Sequence, residues 1–190
     1  LGAYVNESPD FVSWIPDAWN TVDIAWTTDQ ITISVTNADG DSAAFTTSNT
    51  GSGEGVLGLG SNKIGGAIYF ANIQYSGAMT VSPTVTPLPT HHSLDLSLDR
   101  DWTVICDPDS SRDAAAVSYD HTYNSVSSAL KLSTDNSESD FIAFDAIRFD
   151  PSVAGALSLE FAVVGDDDWI IINLFDNLYF TWDSDGYKVM

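Results

Sequence analysis

Apolar and polar residues alternate with a period of two along most of this chain. Val22, Ile24 and Trp26 alternate with Thr21, Asp23 and Ala25, and Ile31, Ile33 and Val35 repeat the pattern. Such alternation marks half-buried strands. Thr28-Asp29 separates these two runs as a tight turn. Asn37-Ala38-Asp39-Gly40 predicts a hairpin, because Asp-Gly supplies the positive φ such turns need. A Thr/Ser/Gly run over 46–55 predicts a loop, followed by strands over 56–59 and 67–75. Further strands are expected over 102–106, 129–133, 140–145 and 155–164, with Leu157, Leu159, Phe161 and Val163 on one face of the last. The run from Trp169 to Leu174 is continuously apolar, as in a central strand covered on both faces. Phe175-Asp176-Asn177-Leu178 turns the chain into a strand over 179–182. No stretch carries a helical period, and the expected class is all-β.

Residues 81–92 interrupt the pattern. Pro83, Pro87 and Pro89 among Thr, Ser and Val remove backbone donors and favour an extended conformation. Ten such residues reach about 30 Å. This linker divides the chain into segments 1–80 and 93–190.

Composition sharpens the class. The chain has 190 residues, 44% hydrophobic and 12% aromatic, enough for an ample core and suited to strands. Acidic residues number 27 against 6 basic, for a net charge of -21. Asp supplies 23 of the acids and Glu four, and Asp suits turns and Ca²⁺ loops rather than helices. Such a charge confers solubility by self-repulsion and disfavours nucleic acid, whose binding needs clustered Lys and Arg. Cys106 is the single cysteine, so no intrachain disulfide forms. No apolar run has membrane-spanning length. The chain opens at Leu1 without a start signal and closes at Asp185-Gly186-Tyr187-Lys188-Val189-Met190, entering a strand. A processed product, or a window on a longer polypeptide, is the expectation. An extracellular or cell-surface setting, in a prokaryote, fits these features.

Trp19-Asn20-Thr21-Val22-Asp23-Ile24 is similar to the W-x-x-V-x-I strand of the concanavalin A-like (laminin G-type) jelly-roll family. Leu57-Gly58-Leu59-Gly60 and Gly66-Ala67-Ile68-Tyr69-Phe70-Ala71-Asn72-Ile73 resemble its closing strands. The opening strands resemble those at Trp102, at Ala129-Leu130-Lys131-Leu132, and from Phe161 to Trp182. The resemblance implies an antiparallel jelly-roll β-sandwich with its halves in permuted order: segment 1–80 is like the family's C-terminal half, and 93–190 like its N-terminal half. Two small sandwiches joined by the linker are the alternative. Three arrangements of a permuted roll stay open: closure within one chain, a window on a tandem array, or exchange of halves between chains, which propagates head to tail.

Catalytic patterns are missing. Glu7, Glu54, Glu138 and Glu160 do not cluster, and the E-x-D-x-x-E motif of glycosidases on this fold is absent. His91, His92 and His121 stand in no recognised motif, with His121 expected in a surface loop. No enzyme activity is expected. Structural Ca²⁺ is the cofactor the Asp clusters suggest, at Asn37, Asp39 and Asp41, at Asp107, Asp109 and Asp113, and at Asp166, Asp167 and Asp168. Aromatics that could stack on sugars are Trp14, Trp19, Tyr179 and Trp182, with Asn173, Asp176 and Asn177 as polar partners. Core packing competes for all of them. The leading expectation is a non-catalytic structural subunit of a surface fibre, assembled with identical subunits by head-to-tail contacts or half-domain exchange. A secreted carbohydrate-binding, lectin-like module is the alternative.

Overall fold

A computed structural model describes residues 12–62, 65–80, 92–93, 102–106, 116–133, 139–166, 169–175, 178–183 and 186–189. Every regular element in it is a strand. Segment 1–80 supplies β1 (Asn20–Trp26), β2 (Gln30–Thr36), β3 (Ser42–Ser48), β4 (Glu54–Asn62), β5 (Gly65–Ser76) and β6 (Ala78–Thr80). The remainder supplies β7 (His92–Ser93), β8 (Trp102–Cys106), β9 (Ala116–Tyr123), β10 (Val126–Ser133), β11 (Ser139–Phe149), β12 (Gly155–Asp166), β13 (Trp169–Phe175), β14 (Leu178–Asp183) and β15 (Gly186–Val189).

All pairings are antiparallel and build two sheets. The first runs β3-β2-β1-β12-β5-β10-β9, with β7 also beside β5. The second runs β15-β14-β13-β4-β11-β6, with β8 on the same edge of β11 as β6. In the first sheet, β12 lies between β1 and β5. In the second, β4 lies between β13 and β11. Each segment therefore threads a strand through the sheet of the other, within one chain. Two side-by-side sandwiches are excluded, because neither segment has a sheet of its own.

The expected alternation holds. Val22, Ile24 and Trp26 of β1 and Ile31, Ile33 and Val35 of β2 are buried, while Asp23 and Ala25 are exposed. Leu157, Leu159, Phe161 and Val163 share the inner face of β12. β13 is central, with β4 and β14 on either side, and its Ile170, Ile171, Ile172 and Leu174 are all buried. The sheets meet through edge-to-face aromatic contacts, which the ring quadrupole favours. Trp26 meets Phe149 at 5.5 Å and Phe175 at 5.6 Å, and Phe161 meets Trp182 at 5.4 Å. Trp26 Nε1 donates to the Val153 carbonyl at 2.7 Å, so its polar atom is satisfied. Gly155 beside it has no room for a side chain: a Cβ there would lie 2.4 Å from the Trp26 ring.

Several boundaries differ from the sequence pattern. β3 extends three residues into the expected 46–55 loop, because hairpin pairing with β2 carries its polar residues to Ser48, and β4 takes the last two. β9 covers 116–123, where Ser, Asp, His and Thr hide the apolar alternation, and it places His121 in a strand rather than a loop. His92, at the end of the expected linker, pairs with Tyr75. Residues 81–91 lie outside the described residues.

Candidate functional site

The outer face of the first sheet carries the candidate site. Alternation that buries Val22, Ile24, Ile33 and Leu157 turns Asp23, Ala25, Thr32, Ser34, Ala156 and Ser158 outward. Register places Asp23 opposite Ser34 on one side and Ser158 on the other, with Ser158 opposite Gln74. The small side chains of Ala25 and Ala156 leave a largely apolar depression of about 200 Å³, with the hydroxyl, amide and carboxylate groups of Thr32, Ser34, Gln74, Asp23 and Ser158 around it.

Next along the same face, β5 carries a bulge. Its inward residues run Ile68, Phe70, then Ile73, Tyr75, a spacing of three in place of two at the bend. Asn72 takes φ 51° there, and the pairing with β12 shifts between Ser158 and Glu160. A bulge re-aims side chains. Here Asn72 Nδ2 donates to Glu160 Oε2 at 2.7 Å, on the solvent side of the sheet.

Beyond the bulge lies an aromatic cluster. Tyr69 stacks on Tyr123 with centroids 4.4 Å apart and rings inclined by 8°. Trp19 meets Tyr123 edge-on at 5.9 Å, and its Nε1 donates to the Tyr123 carbonyl at 3.2 Å. Lys131 Nζ lies 5.7 Å from the Tyr69 centroid, and the His121 ring lies edge-on to Tyr69 at 6.1 Å. Trp19, Tyr69 and Tyr123 are each partly exposed.

Local chemistry fixes the cluster. Tyr123 precedes the β9–β10 turn, where Asn124 and Ser125 take φ 44° and 69°. Two consecutive positive φ values are the type I′ geometry that suits a two-residue hairpin. Trp19 ends a loop held by the fully buried Asn20, whose Oδ1 accepts from Ile15 N and whose Nδ2 donates to the carbonyls of Ile15 and Ala18. Asn124 Nδ2 donates to the Asp17 carbonyl at 2.6 Å and ties the loop to the turn. Burial first, then the negative charge of Asp17, raises the pKa of the Tyr123 phenol above its ordinary value. It therefore stays a neutral hydroxyl at physiological pH.

The residues expected to bind sugar do not form one site. Trp14 and Trp182 are buried, 5% and 0% exposed, and a ring enclosed in the core cannot stack on a ligand. Trp182 Nε1 instead donates to the Val12 carbonyl. Asn173 stands on β13 of the second sheet, opposite Tyr179 of β14, and its buried Oδ1 finds no partner among the described residues. Asp176 and Asn177 lie outside the described residues. Among the described ones, Trp19 alone reaches the outer face of the first sheet. Its companions Tyr69, Tyr123, Asn72, Glu160 and Lys131 were not expected. Tyr69 could have been found, since it falls out of phase with Ile68 and Phe70, whereas Tyr123 depends on a strand the pattern conceals.

The expected calcium loops fare similarly. Asn37 Oδ1 accepts from Asp39 N and Asp41 N, so that oxygen serves the hairpin turn. Gly40 takes φ +89° in the same turn. Asp166 ends β12 opposite Gly65, and Asp107, Asp109, Asp113, Asp167 and Asp168 lie outside the described residues. Among the described residues, no three His, Cys, Asp or Glu side chains gather as a metal site. Ser118 Oγ and His121 Nε2 approach to 2.7 Å, a nucleophile-to-base distance. A nucleophilic site also needs a group orienting the base, and no carboxylate bonded to His121 is found among the described residues.

No protein-family model matches the chain, and no curated protein matches it in sequence.

Proposed function

We propose that this chain is a secreted, non-catalytic carbohydrate-binding β-sandwich whose site is the outer face of the first sheet. One observation carries the reading: three partly exposed aromatic rings, Trp19, Tyr69 and Tyr123, lie beside the Asn72–Glu160 pair on a face that needs no core. Sugar rings present C–H faces to aromatic surfaces and hydroxyls to amides and carboxylates. The cluster supplies the first, while Asn72, Glu160, Gln74, Asp23 and Ser158 supply the second. A net charge of -21 repels uronate-rich or sulfated polymers, so the ligand is a neutral glycan. The resemblance to concanavalin A-like sandwiches, halves permuted, agrees with this reading.

The fibre reading rested on the reversed halves, the chain ends, the linker and the missing catalytic motifs. Strands of the two segments pair within one chain, so a fibre would be built from head-to-tail contacts and has no need of half-domain exchange.

Titration calorimetry with neutral and uronate-rich polysaccharides tests the proposal. Binding of a neutral glycan, lost in Trp19→Ala and Tyr123→Ala while the far-UV circular dichroism is kept, is expected. No binding across a broad neutral glycan panel, or binding that survives both substitutions, refutes it.

A further inference from the structure

We propose that the β3 edge is a self-pairing surface that joins two copies of this chain, strand to strand, about a two-fold axis at Phe45. β3 ends the first sheet, and β2 is its sole partner among the described strands. Edge strands expose unpaired backbone groups, and proteins blunt them with charge, proline, bulges or shortness. The other described edges show such devices. β9 carries register shifts and Asp120 at φ 58°, β6 and β8 are three and five residues long, and β15 is four. β3 shows none. Its seven residues, Ser42-Ala43-Ala44-Phe45-Thr46-Thr47-Ser48, pair with β2 in unbroken register and include no charge, proline or glycine.

The ladder shows which groups point outward. Asn37 N donates to Asp41 O, and Asn49 N donates to Asp29 O. Hydrogen-bonded pairs alternate with non-bonded ones in antiparallel sheets. Bonded pairs therefore fall at Val35–Ala43, Ile33–Phe45 and Ile31–Thr47. The N–H and C=O groups of Ser42, Ala44, Thr46 and Ser48 face away from β2.

These four residues match a second β3. With Phe45 on the axis, Ser42 meets Ser48 of the second copy, Ala44 meets its Thr46, and the reverse pairs complete the ladder. Every outward donor and acceptor is then used. The strand is symmetric in size about Phe45, with Ser at both ends and small residues between. Ala43 and Phe45 pack toward the core and Thr47 is buried, while Ser42, Ala44, Thr46 and Ser48 are exposed. Inner and outer faces stay in phase across the joint.

Charge selects the occupant. The molecule carries -21 overall, yet neither β2 nor β3 contains an ionisable residue. Like-charged copies approach with least repulsion at that neutral strip, and a cationic partner finds nothing there to recognise. The contact is isologous, so it closes as a dimer rather than growing into a filament. With strands about 4.8 Å apart, the aromatic clusters would lie about 40 Å apart on one continuous face. That bivalency rests on the glycan reading, whereas the dimer itself does not.

Sedimentation velocity on the full chain over a wide concentration range tests the pairing. A reversible monomer–dimer equilibrium, tightened by added salt, is expected. Ala44→Pro removes an outward donor without touching the β2 ladder, and should raise the dissociation constant about tenfold or more. Ala44→Glu on the exposed face serves the same end if the proline variant fails to fold. Phe45→Cys in a Cys106→Ser background should give a disulfide-linked dimer under mild oxidation, because directly opposed non-bonded residues lie about 4.5 Å apart. Ala43→Cys in that background should not. A monomer at every concentration overturns the proposal. So does a dimer insensitive to both Ala44 substitutions, or one cross-linked through position 43 but not 45.

Discussion

Trp26→Ala tests whether the two segments form one cooperative unit. Trp26 belongs to β1 of the first segment, 2% exposed, and touches Phe149 of β11 and Phe175 of β13, both in the second segment and the opposing sheet. Truncating a buried Trp or Phe to Ala costs about 3–5 kcal/mol in lost transfer and cavity energy. Each edge-to-face pair adds about 0.5–1.5 kcal/mol, partly counted in that range. The Val153 carbonyl also loses its donor, worth about 1 kcal/mol. A total near 4–5 kcal/mol is a large share of a typical 5–15 kcal/mol. It corresponds to a fall of about 8–20 °C in Tm for a domain of this size. Urea titration, followed by circular dichroism and tryptophan fluorescence, and calorimetry give the readout. A single transition, displaced by this amount in every probe, is expected. Two separable transitions, or a loss below about 1.5 kcal/mol, would refute the interleaved core.

Three further outcomes follow from the same structure. Asn20→Ala leaves Ile15 N–H and the Ile15 and Ala18 carbonyls without their partner, so denaturation should show a loss of about 2–4 kcal/mol, and glycan affinity should fall with it as Trp19 is released. Raising NaCl screens the net repulsion left by 27 acidic residues against 6 basic ones, so Tm should rise with salt, and a flat or falling Tm contradicts the charge argument. The folded Tyr123 phenol has a raised pKa, so the native state holds its proton longer than the unfolded chain. Its stabilising effect is then complete below the ordinary tyrosine value of about 10 and is lost above it. Denaturation midpoints should drop above that pH, less steeply in Tyr123→Phe, and an identical slope in the two proteins defeats the assignment.

Only local structure is legible in the residues alone. Alternation at Val22-Ile24-Trp26, Ile31-Ile33-Val35 and Leu157-Leu159-Phe161-Val163 shows which residues turn inward, because period two is a property of the strand and needs no partner. The apolar run of β13 likewise announces a strand covered on both faces. The neighbours were decided elsewhere. That β12 enters between β1 and β5, and β4 between β13 and β11, depends on contacts more than a hundred residues apart in sequence for β1 and β12. Such pairing is specified by mutual burial across two sheets, which no local pattern encodes. The candidate site shows the same division. Trp14, Trp19 and Trp182 are equal as letters, and only the packing sends two into the core and one to the surface. Trp19 joins Tyr69 and Tyr123 because a buried amide, a two-residue turn and a bulge from three separate stretches converge on one sheet face.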